Sequence, residues 1–163
     1  MFAKKPGPEM VIRPPELQRV LVAVDFSDDS KGALDYAGEL AARLDASLSI
    51  VHVVEPDLGS PLQESSARTS DSERLAEAKL DLCALAERML GPCRVVETSV
   101  RSGIAFFEIA EAAKVLCANL IVVGAHGCAS SQRALLGSTV EKVVRHAPCP
   151  VLVVRGPNHE FVI

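Results

Sequence analysis

The 163-residue chain has no tryptophan, one tyrosine and five phenylalanines, so aromatics make up only 4% of it. That leaves no stacking platform for single-stranded nucleic acid. Positive charge is not in excess either: 17 Lys and Arg against 21 Asp and Glu give a net charge of -4, the wrong sign for tracking a phosphate backbone. The five cysteines, Cys83, Cys93, Cys117, Cys128 and Cys149, are odd in number and include no C-x-x-C pair, which argues against a disulfide framework. No apolar run reaches the length of a membrane span, and the N-terminus lacks the apolar core of a signal peptide, so the expectation is a cytoplasmic protein without a membrane partner. Two phosphate-binding motifs are missing as well. The turn Asp25-Phe26-Ser27-Asp28 after the first strand contains no glycine, which excludes a G-x-G-x-x-G fingerprint there, and no G-x-x-x-x-G-K-[ST] occurs.

What is present is a regular alternation of short apolar runs and helical periods. Val20 to Val24 reads as a strand; Ser27, with Asp28 and Asp29 behind it, reads as an N-cap with acids in the first helical turn. Ala33, Leu34, Ala37, Leu40, Ala41 and Leu44 keep a helical period up to Asp45, and Leu48 to Val54 is a second strand. Residues 55–71 show no periodicity and are expected to form a long surface loop. Leu75 to Met89 carries a second helix ended by Gly91-Pro92, Val95 to Val100 a strand near the sheet edge, and Gly103 opens a third helix through Phe106, Ile109, Ala110 and Ala113. Asn119 to Val123 and Pro150 to Val154 complete five strands around a last helix. Helical crossovers between short buried strands imply an open, doubly wound α/β fold: a five-stranded parallel sheet, inferred order 3-2-1-4-5, with helices on both faces. At this length it is one domain, spanning residues 19–155, between a flexible N-terminal tail (1–18) and a short C-terminal tail (156–163).

The richest stretch is Val122-Val123-Gly124-Ala125-His126-Gly127, followed after nine residues by Gly137-Ser138-Thr139. A strand stops at Gly124, where a sharp turn is expected; Gly127 admits close backbone approach; and a helix with Val140, Val143, Val144 and Ala147 on one face begins at Ser138 or Thr139. Free N-terminal amides, the positive end of the helix dipole and two hydroxyls make an anion site that needs no lysine. Ser138-x-x-Glu141 also fits a capping box, so Ser138 has a purely structural reading beside the phosphate one.

These features resemble the universal stress protein family. The resemblance rests on Val24-Asp25-Phe26-Ser27 after the first strand, His52-Val53 in the second, the G-x2-G-x9-G-[ST] signature at Gly124, Gly127, Gly137 and Ser138, and His146 to Arg155 at the end. It covers about residues 18 to 155. Family members with this signature look like ATP binders, with AMP or ADP as alternatives. The resemblance implies Asp25 near ribose, phosphates or a Mg²⁺ ion, Val53 touching adenine through its backbone, and Gly127, Gly137, Ser138 and Thr139 around the phosphates. It also puts Ala23, Val24, Val123, Gly124 and His126 in the nucleotide-binding set, and implies a homodimer through the last strand, Val151 to Val154. Cys128 stands where family members often carry a basic residue, and Arg133 is the cation further along that could replace it.

Beside its ligand role, Asp25 also reads as a helix-capping residue at a strand end. His126 sits between signature glycines with no positioned acid partner in view, which favours a packing or phosphate-contact role over proton transfer. His52 reads as a satisfied core histidine, and Cys128, in an exposed glycine loop, as the thiol most open to reaction. Hydrolysis would call for a positioned base, a phosphate-clamping cation and a set of metal carboxylates. Only Asp25 is a candidate for that set. The sequence therefore points to a nucleotide-binding regulatory module of the stress response, with no catalytic residue assigned and a slow ATP-hydrolysing enzyme of the same fold as the alternative.

Overall fold

The computed structural model describes residues 17–56, 70–90, 96–128 and 136–156. Strands and helices alternate in chain order: β1 (Arg19–Ala23), α1 (Asp28–Leu44), β2 (Ser47–Val54), α2 (Asp71–Leu90), β3 (Val96–Ser102), α3 (Ala105–Val115), β4 (Leu120–Gly124), α4 (Ser138–His146) and β5 (Val151–Val154). All four strand pairs are parallel, and the order is β3-β2-β1-β4-β5. The expected topology is the observed one.

The two-residue repeat of the strands divides the core. Val20 and Val22 of β1, with Leu48 and Ile50 of β2, meet Ala33, Leu34, Ala37 and Ala41 of α1 and Leu82 and Leu85 of α2. Leu21, Val51, Ile121 and Val123 point the other way, onto Ile109, Ala112 and Ala113 of α3 and Val140 and Val143 of α4. β1 and β4 are thus covered on both sides, which is why they read as continuous apolar runs. β5 is an edge strand whose side chains divide in the same way, Leu152 and Val154 onto the first cluster and Val151 and Val153 onto the second.

Local signals decide the element ends. Ser27 caps α1 as expected, its hydroxyl accepting from Ser30 N at 3.2 Å, and Asp45 ends the helix in the left-handed conformation at φ 53°. Asn119 Oδ1 accepts from the backbone N–H of Gln18 and of Arg19, at 3.1 and 2.9 Å, tying the entry of β4 to that of β1.

Two expectations need correction. Gly137, not Ser138, is the N-cap of α4, with no side-chain cap bond; its own N–H donates to Ala125 O at 2.9 Å, which holds it extended and makes Ser138 the first helical residue. The capping box therefore does not form. Gly124 makes no turn: it is the last residue of β4, and a Cβ there would lie 2.7 Å from Asp29 C and Ser30 N, so its bareness lets the first turn of α1 pack against the strand. Among the described residues no helix is long and apolar enough to cross a membrane. The N-terminal tail, most of the 55–71 segment, Gly91-Pro92, Arg133 and the residues after Gly156 lie outside the described residues.

Candidate functional site

At the carboxyl ends of β1, β2 and β4 lies a cleft of about 500 Å³. This is where an open parallel sheet offers a crevice, since the chain leaves the neighbouring strands β1 and β4 toward opposite faces, into α1 and α4. Ala23, Val24 and Asp25 line it from β1, Val53 from β2, Val123, Gly124, His126 and Gly127 from β4 and its loop, and Gly137, Ser138 and Thr139 from the start of α4. All the residues that the resemblance places in the nucleotide-binding set border this one space.

Asp25 is held by a dense set of donors. Ser27 donates to its Oδ1 through both N–H, at 3.1 Å, and hydroxyl, and Cys128 N donates to Oδ2 at 2.9 Å. Burial acts to raise the Asp25 pKa, but these bonds and that to Ser30 outweigh it, and the net shift is downward. A Cβ on Gly127 would sit 2.6 Å from Asp25 Oδ2, so this glycine is needed first of all to make room for the carboxylate. Oδ2 keeps acceptor capacity, so Asp25 is the residue here that could hold a hard cation such as Mg²⁺, by one carboxylate contact. No protein-only cage is at hand: among the described residues no three His, Cys, Asp or Glu side chains are grouped to hold a metal.

His126 has the acid partner that the sequence did not reveal. Asp29 Oδ2 accepts from His126 N at 3.1 Å and lies 3.0 Å from its Nδ1, so Nδ1 carries the proton and the ring orientation is set by α1. Asp29 reads in sequence as a first-turn acid, and nothing local reports a partner 97 residues away. His52 is satisfied by Val24 O at 2.7 Å from its Nδ1 and lies against Phe26, yet it borders the cleft rather than the core. Cys128 is not an activated thiol. Its Sγ is 3.1 Å from Asp25 O, and burial first, then the Asp25 charge, push its pKa up.

The two ends of the cleft differ. At one, the N–H groups of Ser138, Thr139 and Val140 lack intrahelical acceptors, and both hydroxyl side chains are exposed. Near the other, β1 leaves the sheet early. Val24 N donates to Val51 O at 2.9 Å, the last bond on that side of β2, so the backbone of Val53, two residues on, faces the cleft. Beyond it, Glu55 Oε1 accepts from Ala105 N at 3.2 Å and Arg74 Nη2 donates to Glu55 O at 3.2 Å. Neither Glu55 nor Arg74 stands out in the sequence, because both belong to stretches without periodic or motif context.

Residues 16–155 match the model of the universal stress protein family. A universal stress protein of Methanocaldococcus jannaschii is 34% identical over 146 residues, covering 88% of this chain and 85% of the relative. Among solved structures, the universal stress protein UspA from Lactobacillus plantarum superposes with a TM-score of 0.66 at 31% identity, over 87% of this chain and 100% of that one. A universal stress protein solved in complex with cAMP gives 0.63 at 26% identity, over 86% and 98%. With a family model over residues 16–155 and a relative 34% identical over most of both chains, the chain belongs to the universal stress protein family.

Proposed function

We propose that this protein binds ATP, with Mg²⁺ carried on its phosphates, and acts as a nucleotide-dependent regulatory module of the stress response. The observation that carries this reading is that one cleft is bordered by Asp25, the Val53 backbone, Gly127 and the open N-terminus of α4. Phosphates would occupy the Ser138 and Thr139 end, where unpaired amides and the helix dipole favour negative charge. The base would lie toward Val53, whose backbone offers one donor and one acceptor. The related structure in complex with cAMP supports an adenine nucleotide as the ligand class; ADP and AMP satisfy the same geometry. The reading includes a homodimer through β5.

Calorimetric titration with Mg-ATP tests it, using wild type and Ser138→Asp. An acid in the first turn favours the helix, so the variant is expected to melt no lower than wild type. Its charge opposes phosphate, and ATP affinity should fall by at least about tenfold. Unchanged affinity would remove the phosphate assignment. Gly127→Val is a poorer probe, since its side chain would first displace Asp25.

The His126–Asp29 pair favours a second reading, slow hydrolysis, because it supplies a base with an orienting acid. On the binding-module reading, turnover stays well below about 1 per second. A rate at or above that, lost on His126→Gln and on Asp29→Asn, would make the protein an enzyme.

A further inference from the structure

Arg74 is the one lysine or arginine among the described residues bordering the cleft, and it lies at the wrong end for a phosphate clamp. Ser138 and Thr139 belong to the β4 side of β1, whereas Arg74 is bonded to Glu55 just past the end of β2. In the order β2-β1-β4, that separates the two by about two strand spacings, roughly 10 Å. Acids already surround the guanidinium. Asp71 Oδ1 is 3.6 Å from Nη1, and the Glu55 carboxylate caps the neighbouring α3. An incoming anion would meet both carboxylates there, while a neutral flat ring would not be repelled.

The same end has no aromatic side chain to receive a base. No Phe, Tyr or Trp is among the described residues lining the cleft, and the His52 ring is engaged by Val24 O and Phe26. Val53 and Ile109 supply aliphatic surface. The planar group available is the guanidinium, held by Glu55 O and two-thirds screened from solvent at 33% side-chain exposure. Guanidinium planes stack on nucleobases and on aromatic faces.

The geometry points to Arg74 as the base-binding residue of this cleft: its guanidinium plane covers one face of the nucleobase, while the start of α4 holds the phosphates. The inference rests on the nucleotide reading above and assigns a specific role within it. Arg74 acts here through its plane, not through its net charge, which separates it from a phosphate ligand.

The test compares ATP with ribose 5-triphosphate, the same ligand without its base, by calorimetry on wild type, Arg74→Ala and Arg74→Lys. Stacking on a base is expected to make about a tenfold difference, so both variants should weaken ATP by about that factor and change ribose 5-triphosphate less than about twofold. Melting temperature should stay near that of wild type, since the side chain is partly exposed and its ion pair is a surface one. Full ATP affinity in Arg74→Lys would mean that charge suffices, and an equal loss for both ligands would make Arg74 a phosphate or ribose contact; either result overturns the proposal. So does wild-type affinity in Arg74→Ala. A wild type that binds ribose 5-triphosphate as tightly as ATP likewise excludes base recognition, whereas a wild type that binds neither removes the nucleotide reading itself.

Discussion

Asp25 and Phe26 together explain how a turn without glycine builds this site. Phe26 takes the left-handed conformation at φ 65°, which for a bulky residue costs about 1–2 kcal/mol. Packing offsets that cost: the ring lies 4.7 Å from that of His52 and against the core under α1. The turn swings Ser27 back, so that its N–H and hydroxyl both reach the Asp25 carboxylate. Because those bonds lower the Asp25 pKa in the folded protein, the unfolded chain binds the proton more readily. The stabilisation is fully present above the unfolded value, about 3.9, and is lost as pH falls through the lower folded one. Asp25→Asn should therefore melt below wild type at pH 7, and the gap should close as pH drops below about 4. Thermal melts across pH 2.5 to 7 read this directly; a gap independent of pH would show that the carboxylate charge contributes nothing.

At the scale of elements, two glycines make opposite demands. Gly124 touches the α1 backbone so closely that an added methyl must push helix and strand apart, whereas Gly32, within α1, has nothing within 4 Å of such a methyl. Gly124→Ala is expected to destabilise by about 1–3 kcal/mol through overpacking. Gly32→Ala should stabilise by about 0.5–1 kcal/mol through helix propensity. Denaturant melts of the two variants check the contrast, and a stabilised Gly124→Ala would disprove the close packing. Sequence alone gives Gly124 as part of a signature but not this reason for it, since the contact runs to α1 and not to a ligand. The sheet was legible because β1 and β4 are buried on both sides and α1 keeps its period to Asp45. β3, at Val96–Ser102, runs two residues past the expected end at Val100. Its last residues, Arg101 and Ser102, are polar and are held in the strand by pairing with Val53 and Val54 rather than by burial. Within the cleft, the residues carried by the glycine signature were legible, while Asp29, Glu55 and Arg74 were not, because each acts through a fold contact that leaves no local pattern.

For the whole molecule, the edge strand β5, half-buried and paired only with β4 among the described residues, frames the proposed dimer. Ile121 N donates to Pro150 O and Ala125 N to Val154 O, so the even-numbered residues of β5 face β4 and the backbone of Val151 and Val153 faces outward. A second copy would pair through those outward groups, whereas the side chains of Val151 and Val153 already pack on the α3 and α4 side. Val153→Pro removes one outward donor without breaking the ladder to β4. Light scattering should show a wild-type dimer at micromolar concentration and a monomeric variant that melts within a few degrees of it; a monomeric wild type would rule the interface out. The bonds that assemble the cleft have a different consequence, in the order of folding. Cys128 to Asp25 spans 103 residues and His126 to Asp29 spans 97. Contacts of such separation close late, after β1 has waited for β4 to arrive. A chain still emerging from the ribosome therefore has no cleft until α4 has been made, and a ligand of the cleft is bound by the finished molecule alone. Such a ligand draws the folding equilibrium toward the native state by mass action, making the protein's own resistance to unfolding a gauge of how much of it is present.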